Sequence, residues 1–226
     1  MFKFKLGGIA IALSLLLLPS LPSFAVAADE VEEVVAVGTR REARSVGDSP
    51  APVDIITGSD FVNQGAMDLP DMIRTLVPSF NVNTQPISDA ATLIRPANLR
   101  GLPPDNMLIL VNGKRRHRGA VISFLGSGIS DGAQGPDISA IPSIALKQVE
   151  VLRDGAAAQY GSDAIAGIMN FVYKDNSEGT QIEIRSGEYS DGDGDMYRVA
   201  ANVGMPFTAN GFKIFSAFLK SPVTLA

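Results

Sequence analysis

Short runs of apolar residues, bounded by turn residues, predict strands in the first three quarters of the chain. The predicted strands lie at residues 50–57, 81–84, 106–111, 120–124 and 149–153. Residues 68–77 predict a short helix, which Asp68 can cap and Pro78 ends, and residues 141–146 predict a helical turn. Strands mixed with short helices, without a βαβ repeat, predict a small α+β domain over residues 45–175.

From Gly179 onwards the pattern changes to alternation of apolar and polar residues. Residues 180–185 and 197–203 alternate strictly, and residues 211–220 alternate less regularly. Such strands fit the wall of a membrane β-barrel, which is apolar outside and polar inside, and they also fit any half-exposed antiparallel sheet. We therefore expect two or three antiparallel strands over residues 176–226.

Residues 1–27 have the three parts of a secretory signal peptide. Lys3 and Lys5 form a basic beginning, residues 7–18 are apolar, and the small residues at 25–27 suit cleavage. The apolar run of about 12 residues is shorter than the roughly 20 that a membrane-spanning helix needs. We predict that this segment is removed on export, the alternative being an uncleaved membrane anchor.

Charge and composition exclude several classes of function. Without residues 1–27 the chain has 17 Lys and Arg (19 less Lys3 and Lys5) against 24 Asp and Glu, a net charge of −7. Nucleic-acid binders carry a basic face, so no nucleic-acid partner is expected. With no Cys and one His, His117, neither a thiolate metal site nor a Cys–His or Ser–His–Asp set is supported. We expect no enzyme activity, no bound metal and no cofactor.

The aspartate-rich run at residues 191–195 (DGDGD) is similar to the start of a calcium loop. An EF-hand needs Gly at loop position six and Glu at position twelve, where this chain has Met196 and Asn202. A polar connection between two strands is therefore the better interpretation, with a weak surface cation site as the alternative.

Three glycines are interpreted as backbone requirements at turns and at a helix end rather than as parts of a phosphate site. They are Gly155, Gly161 and Gly167. Neither a GxGxxG nor a GxxxxGK[ST] context surrounds them, so nucleotide binding is not supported.

Residues 148–174 (QVEVLRDGAAAQYGSDAIAGIMNFVYK) carry the most specific pattern in the chain. An apolar strand leads through residues 153–155 (RDG) and an alanine-rich helical turn, closed by residues 160–161 (YG), to a second apolar run. This order resembles the end of the plug domain of TonB-dependent outer-membrane receptors, with its VLRG-like turn, YG pair and AIAGxxN run. Within it, residues 162–163 (SD) are expected to begin a short helix at residues 164–168.

The stretch at residues 28–44 is acidic and then basic, and we expect an extended tail without a strand partner nearby. Its EEVVAVGTR sequence resembles the TonB box and flank of the same receptors. The resemblance implies that this segment binds the energy-coupling protein TonB by adding a strand to a sheet edge. The implied TonB-binding residues are Glu32, Glu33, Val34, Val35, Ala36 and Val37. A disordered linker is the alternative.

Two arginines stand where the family has plug arginines that pair with glutamates on the barrel wall. They are Arg100, in NLRG, and Arg153, in VLRDG. The resemblance implies a plug–barrel latch, because a buried Arg–carboxylate pair is costly to break by removing one partner. The alternative is that each arginine bonds to carbonyls within the plug.

A basic run at residues 114–118 follows the turn signal at residues 112–113 (NG). By resemblance this loop lies near the outward face of the plug, where Arg116, His117 and Arg118 would face an arriving ligand. Arginine forks suit carboxylate or phosphate groups. A solvated surface loop is the alternative, as for most charge runs.

The resemblance covers about residues 30–220 and implies four parts. They are a signal peptide (1–27), an extended tail with the TonB box (28–44), a plug domain (45–175) and the start of a barrel (176–226). The fold class expected is α+β, a small mixed-sheet plug with short helices followed by antiparallel strands of an incomplete outer-membrane β-barrel.

The resemblance also implies a function, which is uptake of iron–siderophore complexes or other scarce nutrients across the outer membrane of a Gram-negative bacterium. A 22-stranded barrel needs several hundred residues, whereas residues 176–226 supply only two or three strands. We therefore expect an N-terminal fragment that does not transport alone. The alternative is a free-standing periplasmic plug-like module that binds TonB or a small-molecule ligand.

Overall fold

The computed structural model describes most of the chain beyond residue 51. The described residues are 34–35, 44–45, 52–64, 66, 68–82, 94–123, 128–153, 156–174, 179–188, 196–208 and 211–220. The predicted signal peptide at residues 1–27 and the aspartate-rich run at residues 191–195 lie outside them.

Strands dominate the described residues. They are β1 (Val34–Val35), β2 (Arg44–Ser45), β3 (Val53–Thr57), β4 (Phe80–Val82), β5 (Ala97–Leu99), β6 (Met107–Val111), β7 (Lys114–Arg115), β8 (Leu146–Leu152), β9 (Gly167–Tyr173), β10 (Gly179–Gly187), β11 (Met196–Thr208) and β12 (Gly211–Lys220). The α-helices are α1 (Gly58–Val62), α2 (Leu69–Leu76) and α3 (Ala157–Tyr160), and 3₁₀ turns lie at Pro104–Asn106, Gly128–Ser130, Ser143–Ala145 and Ser162–Ala164. The predicted α+β class, the helix at residues 68–77 and the helical turn at residues 141–146 are confirmed.

Five strands form one mixed sheet in the order β3-β8-β9-β6-β7. β6 and β9 run parallel, with Met107 beside Gly167 at one end and Val111 beside Phe171 at the other. The other neighbours in this sheet are antiparallel. A central strand that is covered on both faces has a continuous apolar sequence, which explains the MLILV of β6. We call residues 52–174, which contain this sheet, the mixed-sheet unit.

Apolar side chains cover both faces of the mixed sheet. On one face, α2 and the β4–β5 pair pack on the sheet through side chains that include Met72, Ile73, Phe80, Leu99, Ile109 and Phe171. The smaller cluster on the opposite face includes Leu108, Leu110, Leu152, Ala164 and Ile168. At the start of α2, the carboxylate of Asp68 accepts a hydrogen bond from Arg95 (3.0 Å), so an ion pair accompanies the predicted capping position.

The turn between β6 and β7 is the one that the Asn-Gly pair predicts. Asn112 and Gly113 have positive φ angles of 48° and 74°, as a two-residue hairpin turn of type I′ requires. The side-chain oxygen of Asn112 accepts a hydrogen bond from the backbone N–H of Tyr173 (2.8 Å). The side-chain oxygen of Asn170 accepts one from the N–H of Gly113 (2.9 Å), so β9 holds the turn from two sides.

The three strands β10, β11 and β12 form an antiparallel sheet of their own, which we call the meander. Ile184 lies opposite Val199 and Arg185 lies opposite Arg198 in its register. Ile184 is 74% exposed, whereas Arg198 is 4% exposed, so the two faces of the meander differ as the alternation predicts. The predicted antiparallel strands after Gly179 are confirmed.

Two predicted elements of the mixed-sheet unit are wrong. Residues 120–123 form no strand, because Ser123 instead hydrogen-bonds to the loop backbone at Gly132 and Ala133. Residues 164–168 are not a helix, since the 3₁₀ turn Ser162–Ala164 is followed by β9 from Gly167. The φ of +139° at Gly167 is incompatible with a helix.

The tail also differs from expectation. Val34 lies beside Ser45 and Val35 beside Arg44 in an antiparallel pair, whereas no strand partner was expected nearby. The remaining predicted TonB-binding residues, at positions 32, 33, 36 and 37, lie outside the described residues.

Candidate functional site

The polar face of the meander lies against the mixed-sheet unit. The side chains of Glu183 and Arg185 in β10 are 21% and 15% exposed. In β11, Arg198 and Asn202 are buried, whereas Ile184 of β10 lies on the other face and is exposed. Because side chains alternate between the faces of a strand, these polar residues of β10 and β11 share one face.

Arg185 reaches the end of α1. Its Nη1 donates hydrogen bonds to the carbonyl oxygens of Gln64 (2.9 Å) and Ala66 (3.4 Å). Its Nη2 donates to the carbonyls of Phe61 and Val62, both at 3.3 Å. Carbonyls at a helix C-terminus lack intrahelical partners and carry partial negative charge. Arg185, a residue of the meander, therefore caps the C-terminal end of α1.

Arg198 lies directly opposite Arg185 in the register of the meander. Its Nη2 donates a hydrogen bond to the hydroxyl oxygen of Ser143 (2.6 Å), in the 3₁₀ turn of the mixed-sheet unit. Like charges directly opposite each other destabilise a sheet. The carboxylate of Glu183, on the same face, forms an ion pair with Nε of Arg185 and supplies a counter-charge.

Lys174 completes the contact at the end of the mixed-sheet unit. Its Nζ donates hydrogen bonds to the carbonyl of Ile144 (2.9 Å) and to the side-chain oxygen of Gln181 (2.8 Å) in β10. Burial lowers the pKa of Lys174, and the nearby carboxylate of Glu183 opposes that shift. A cavity of about 440 Å³ lies between α1 and β10 beside these groups.

The two predicted latch arginines lie close to each other within the mixed-sheet unit. Nη1 of Arg100 donates a hydrogen bond to the carbonyl of Arg153 (2.7 Å). The guanidinium of Arg153 forms an ion pair with Asp54 of β3. Arg100 thus bonds to a carbonyl of the plug, and Arg153 pairs with a carboxylate of the plug, while the latch to a barrel wall stays a prediction.

The predicted ligand-facing residues follow β7 directly. They are Arg116, which is half-buried, and His117 and Arg118, which are exposed. Arg115 forms an ion pair with Asp163. Arg118 lies 3.7 Å from Asp163 and 3.8 Å from Asp105, so carboxylates partly neutralise the basic run.

A buried carboxylate at Glu150 was not predicted. Glu150 is 1% exposed and accepts hydrogen bonds from Nε2 of Gln148 (2.9 Å) and Nδ2 of Asn170 (3.0 Å). Asn170 lies opposite Glu150 in the register and also binds Gly113. The pairing of β8 with β9 places this partner beside Glu150.

Sequence reasoning also missed Arg185, Arg198 and Lys174. The signal available was an arginine at the inward position of each strictly alternating strand, which indicates a polar face that needs a partner. Among the residues that the structure describes, no group of three or more His, Cys, Asp or Glu side chains could hold a metal ion. Within that same part of the chain, none of the helices has the length and hydrophobicity to cross a membrane.

Comparison with known proteins identifies relatives for most of the chain. The family described as TonB-dependent Receptor Plug Domain matches residues 45–168. The ferric enterobactin receptor PirA of Pseudomonas aeruginosa is 31% identical over 174 residues, which are 75% of this chain and 23% of that protein. The vitamin B12 transporter BtuB of Vibrio cholerae serotype O1 is 31% identical over 181 residues, which are 80% of this chain and 27% of that protein.

A solved structure agrees with these sequence matches. The crystal structure of the siderophore receptor PirA from Acinetobacter baumannii has a TM-score of 0.55 at 27% identity, over 74% of this chain and 24% of that chain. The chain thus spans about a quarter of the length of the relatives that it matches. The match over residues 45–168, which are more than half of the chain, shows that the chain belongs to the TonB-dependent receptor plug domain family.

Proposed function

We propose that this chain is the plug-containing part of an outer-membrane receptor that takes up a scarce nutrient with energy supplied through TonB. The mixed-sheet unit is the plug, and the meander is the beginning of the barrel wall. The observation that carries the proposal is the two-sided meander. Arg185 and Arg198 bond to the plug from one face, while Ile182 and Ile184 are exposed on the other. A barrel wall around a plug needs this apolar-out, polar-in arrangement.

The exposed face of the meander supports a location in the outer membrane of a Gram-negative bacterium. Ile182 is 68% exposed and Ile184 is 74% exposed, and Tyr197 and Val199 lie on the same face. A continuous apolar face is unfavourable in water and favourable against lipid. The same face disfavours a free-standing periplasmic module.

The ligand proposed is a small-molecule nutrient that is scarce in the cell's surroundings. An iron–siderophore complex is the first candidate. Relatives bear names that refer to ferric enterobactin and vitamin B12. Arg116 and Arg118, on either side of His117, present positive charge beside β7, which suits an anionic ligand. Binding there would precede a rearrangement of the plug, so the chain acts as a mechanical switch rather than as a catalyst.

The first test is loss of the gene in the natural host. We expect the protein in the outer-membrane fraction and slower growth of the deletion strain only when iron or cobalamin is limiting. Equal growth of both strains under every limitation, with the protein absent from the outer membrane, would contradict the proposal.

The second test concerns TonB binding at residues 32–37. Replacing Val35 by Pro removes a backbone N–H that an added strand needs, so TonB-coupled uptake should be lost. Val35→Ile keeps this N–H and is the matched control. Binding of the periplasmic domain of the host's TonB to each purified variant is measured beside growth. Unchanged TonB binding by the Pro variant would contradict the assignment of this segment as the TonB-binding segment.

A further inference from the structure

Resemblance to the family implied a latch in which plug arginines bind glutamates of the wall. At Arg185 the polarity is the opposite, since a wall strand supplies the guanidinium group and the plug supplies backbone carbonyls. We propose that Arg185 is a clamp that fastens the plug segment at residues 58–66 to the first wall strand. The proposal rests on the proposed function, since it takes the meander as wall and residues 52–174 as plug.

The geometry of the guanidinium suits this role. Its two terminal nitrogens donate to carbonyls in the last turn of α1 and to carbonyls that follow the helix. The shortest of these bonds, at 2.9 Å, is to Gln64. A planar fork can serve several acceptors at once, whereas an ammonium group is a point charge on a flexible stem. At 15% exposure, the side chain of Arg185 is largely protected from competing water. Shape as well as charge therefore determines the contact.

The carboxylate that pairs with Arg185 is that of Glu183. Arg185 and Arg198 lie opposite each other on the same face, which is unfavourable for two cations. Glu183, two residues before Arg185, pairs with it. The plug acceptors of Arg185 are backbone carbonyls, which carry no full charge, whereas Arg198 also lies near the carboxylate of Asp68. Removing the charge of Glu183 should therefore weaken the clamp, and it also removes the carboxylate near Lys174.

The position of the clamp gives it a mechanical consequence. β3 is at the edge of the mixed sheet and pairs with β8 on one side, and α1 follows it directly in the chain. A pull on the tail that precedes β3 would reach β3 and α1 first. Arg185 bonds the carbonyls of this segment to the wall, so it resists detachment of the segment.

Hydrogen exchange in the natural gene product, purified from outer membranes in detergent, tests the clamp directly. The amides of Asn63 and Gln64 bond to carbonyls of α1 and report its opening. In Arg185→Gln these amides should exchange about 10- to 100-fold faster, as expected for a lost hydrogen-bonded charge. Amides of β6 should not change. Arg115→Gln removes an exposed arginine of the plug and is the matched control.

Arg185→Lys keeps the positive charge, removes the planar guanidinium group and leaves the variant folded. It should accelerate exchange nearly as much as Arg185→Gln, because one ammonium cannot serve carbonyls on both sides of α1. Glu183→Gln should accelerate exchange to a smaller degree. Unchanged exchange in Arg185→Gln, or full protection in Arg185→Lys, would overturn the clamp.

The exchange measurement uses neither TonB nor a nutrient. A failed clamp is therefore distinguishable from a failed receptor function. If deletion of the gene leaves growth unchanged while exchange responds as expected, the clamp stands and the proposed nutrient uptake does not.

Discussion

At the scale of single residues, Gly167 shows how closely two parts of the plug approach each other. Its φ is +139°, a conformation that L-residues rarely adopt. A Cβ at this position would lie 2.5 Å from the carbonyl oxygen of Leu152 and 2.9 Å from Cδ2 of Leu99. Both neighbours belong to the packed sheet, so neither can move freely.

We predict that Gly167→Ala destabilises the plug severely. Backbone strain contributes about 1–2 kcal/mol, and the clash with the Leu152 carbonyl adds to it. Gly101→Ala is the control, because Gly101 also has a positive φ (+71°) but open space around it. Resistance of the plug to limited proteolysis in the purified protein is the measurement. Equal resistance of the two variants would show that the close approach does not matter.

The backbone requirement at Gly167 was predicted from the sequence, but its cause was not. The pattern indicated a turn or a helix end, whereas β9 begins there beside Leu152. A local pattern reports which residue types tolerate a conformation, but it does not report what approaches from elsewhere in the chain. The buried Glu150 illustrates the same limit, since its partner Asn170 is 20 positions away.

At the scale of elements, the meander follows its sequence period closely. Alternation over residues 180–185 and 197–203 predicted which side chains share a face, and the described faces agree. The predicted strand at residues 120–124 is wrong over its described residues, 120–123, because a short apolar run does not form a ladder without an adjacent strand edge. At Ser123, the loop backbone takes the bonds that a strand partner would have made.

Charge on the outward face of the meander should impair assembly in the membrane. Ile184→Arg places a guanidinium among exposed apolar side chains, at a cost of about 2–4 kcal/mol near the middle of the bilayer. The expected result is less folded protein in the outer-membrane fraction. Ile129→Arg, on an exposed 3₁₀ turn of the plug, is the control and should have little effect. Similar amounts of both variants would contradict a lipid-facing surface.

At the scale of the whole molecule, the meander has three strands, and β10 and β12 each pair with one neighbour in it. Unpaired backbone groups in lipid cost several kcal/mol each, which only a closed barrel avoids. We therefore expect no steady conductance when a polypeptide of residues 28–226 alone is added to a planar bilayer. The full-length relative BtuB of Vibrio cholerae serves as the comparison. Long-lived, uniform channels from the short polypeptide would contradict this expectation.

The sequence by itself determined the family and the class of fold. Residues 148–174 identified the plug, and the alternation after Gly179 identified the strands that follow it. Both signals are local, because turn residues and side-chain periods depend on neighbours in the chain. Both signals can therefore be recognised from the sequence alone.

Only the tertiary structure decided which groups join the plug to the first wall strands. Arg185 and its acceptor at Gln64 are 121 positions apart, and Arg198 and Ser143 are 55 apart. Nothing in a local pattern specifies a neutral carbonyl as the partner of a charged side chain. The polarity of this contact is set by the packing of the meander on α1. The sequence period determines which face of the meander is polar, but it does not determine where that face packs.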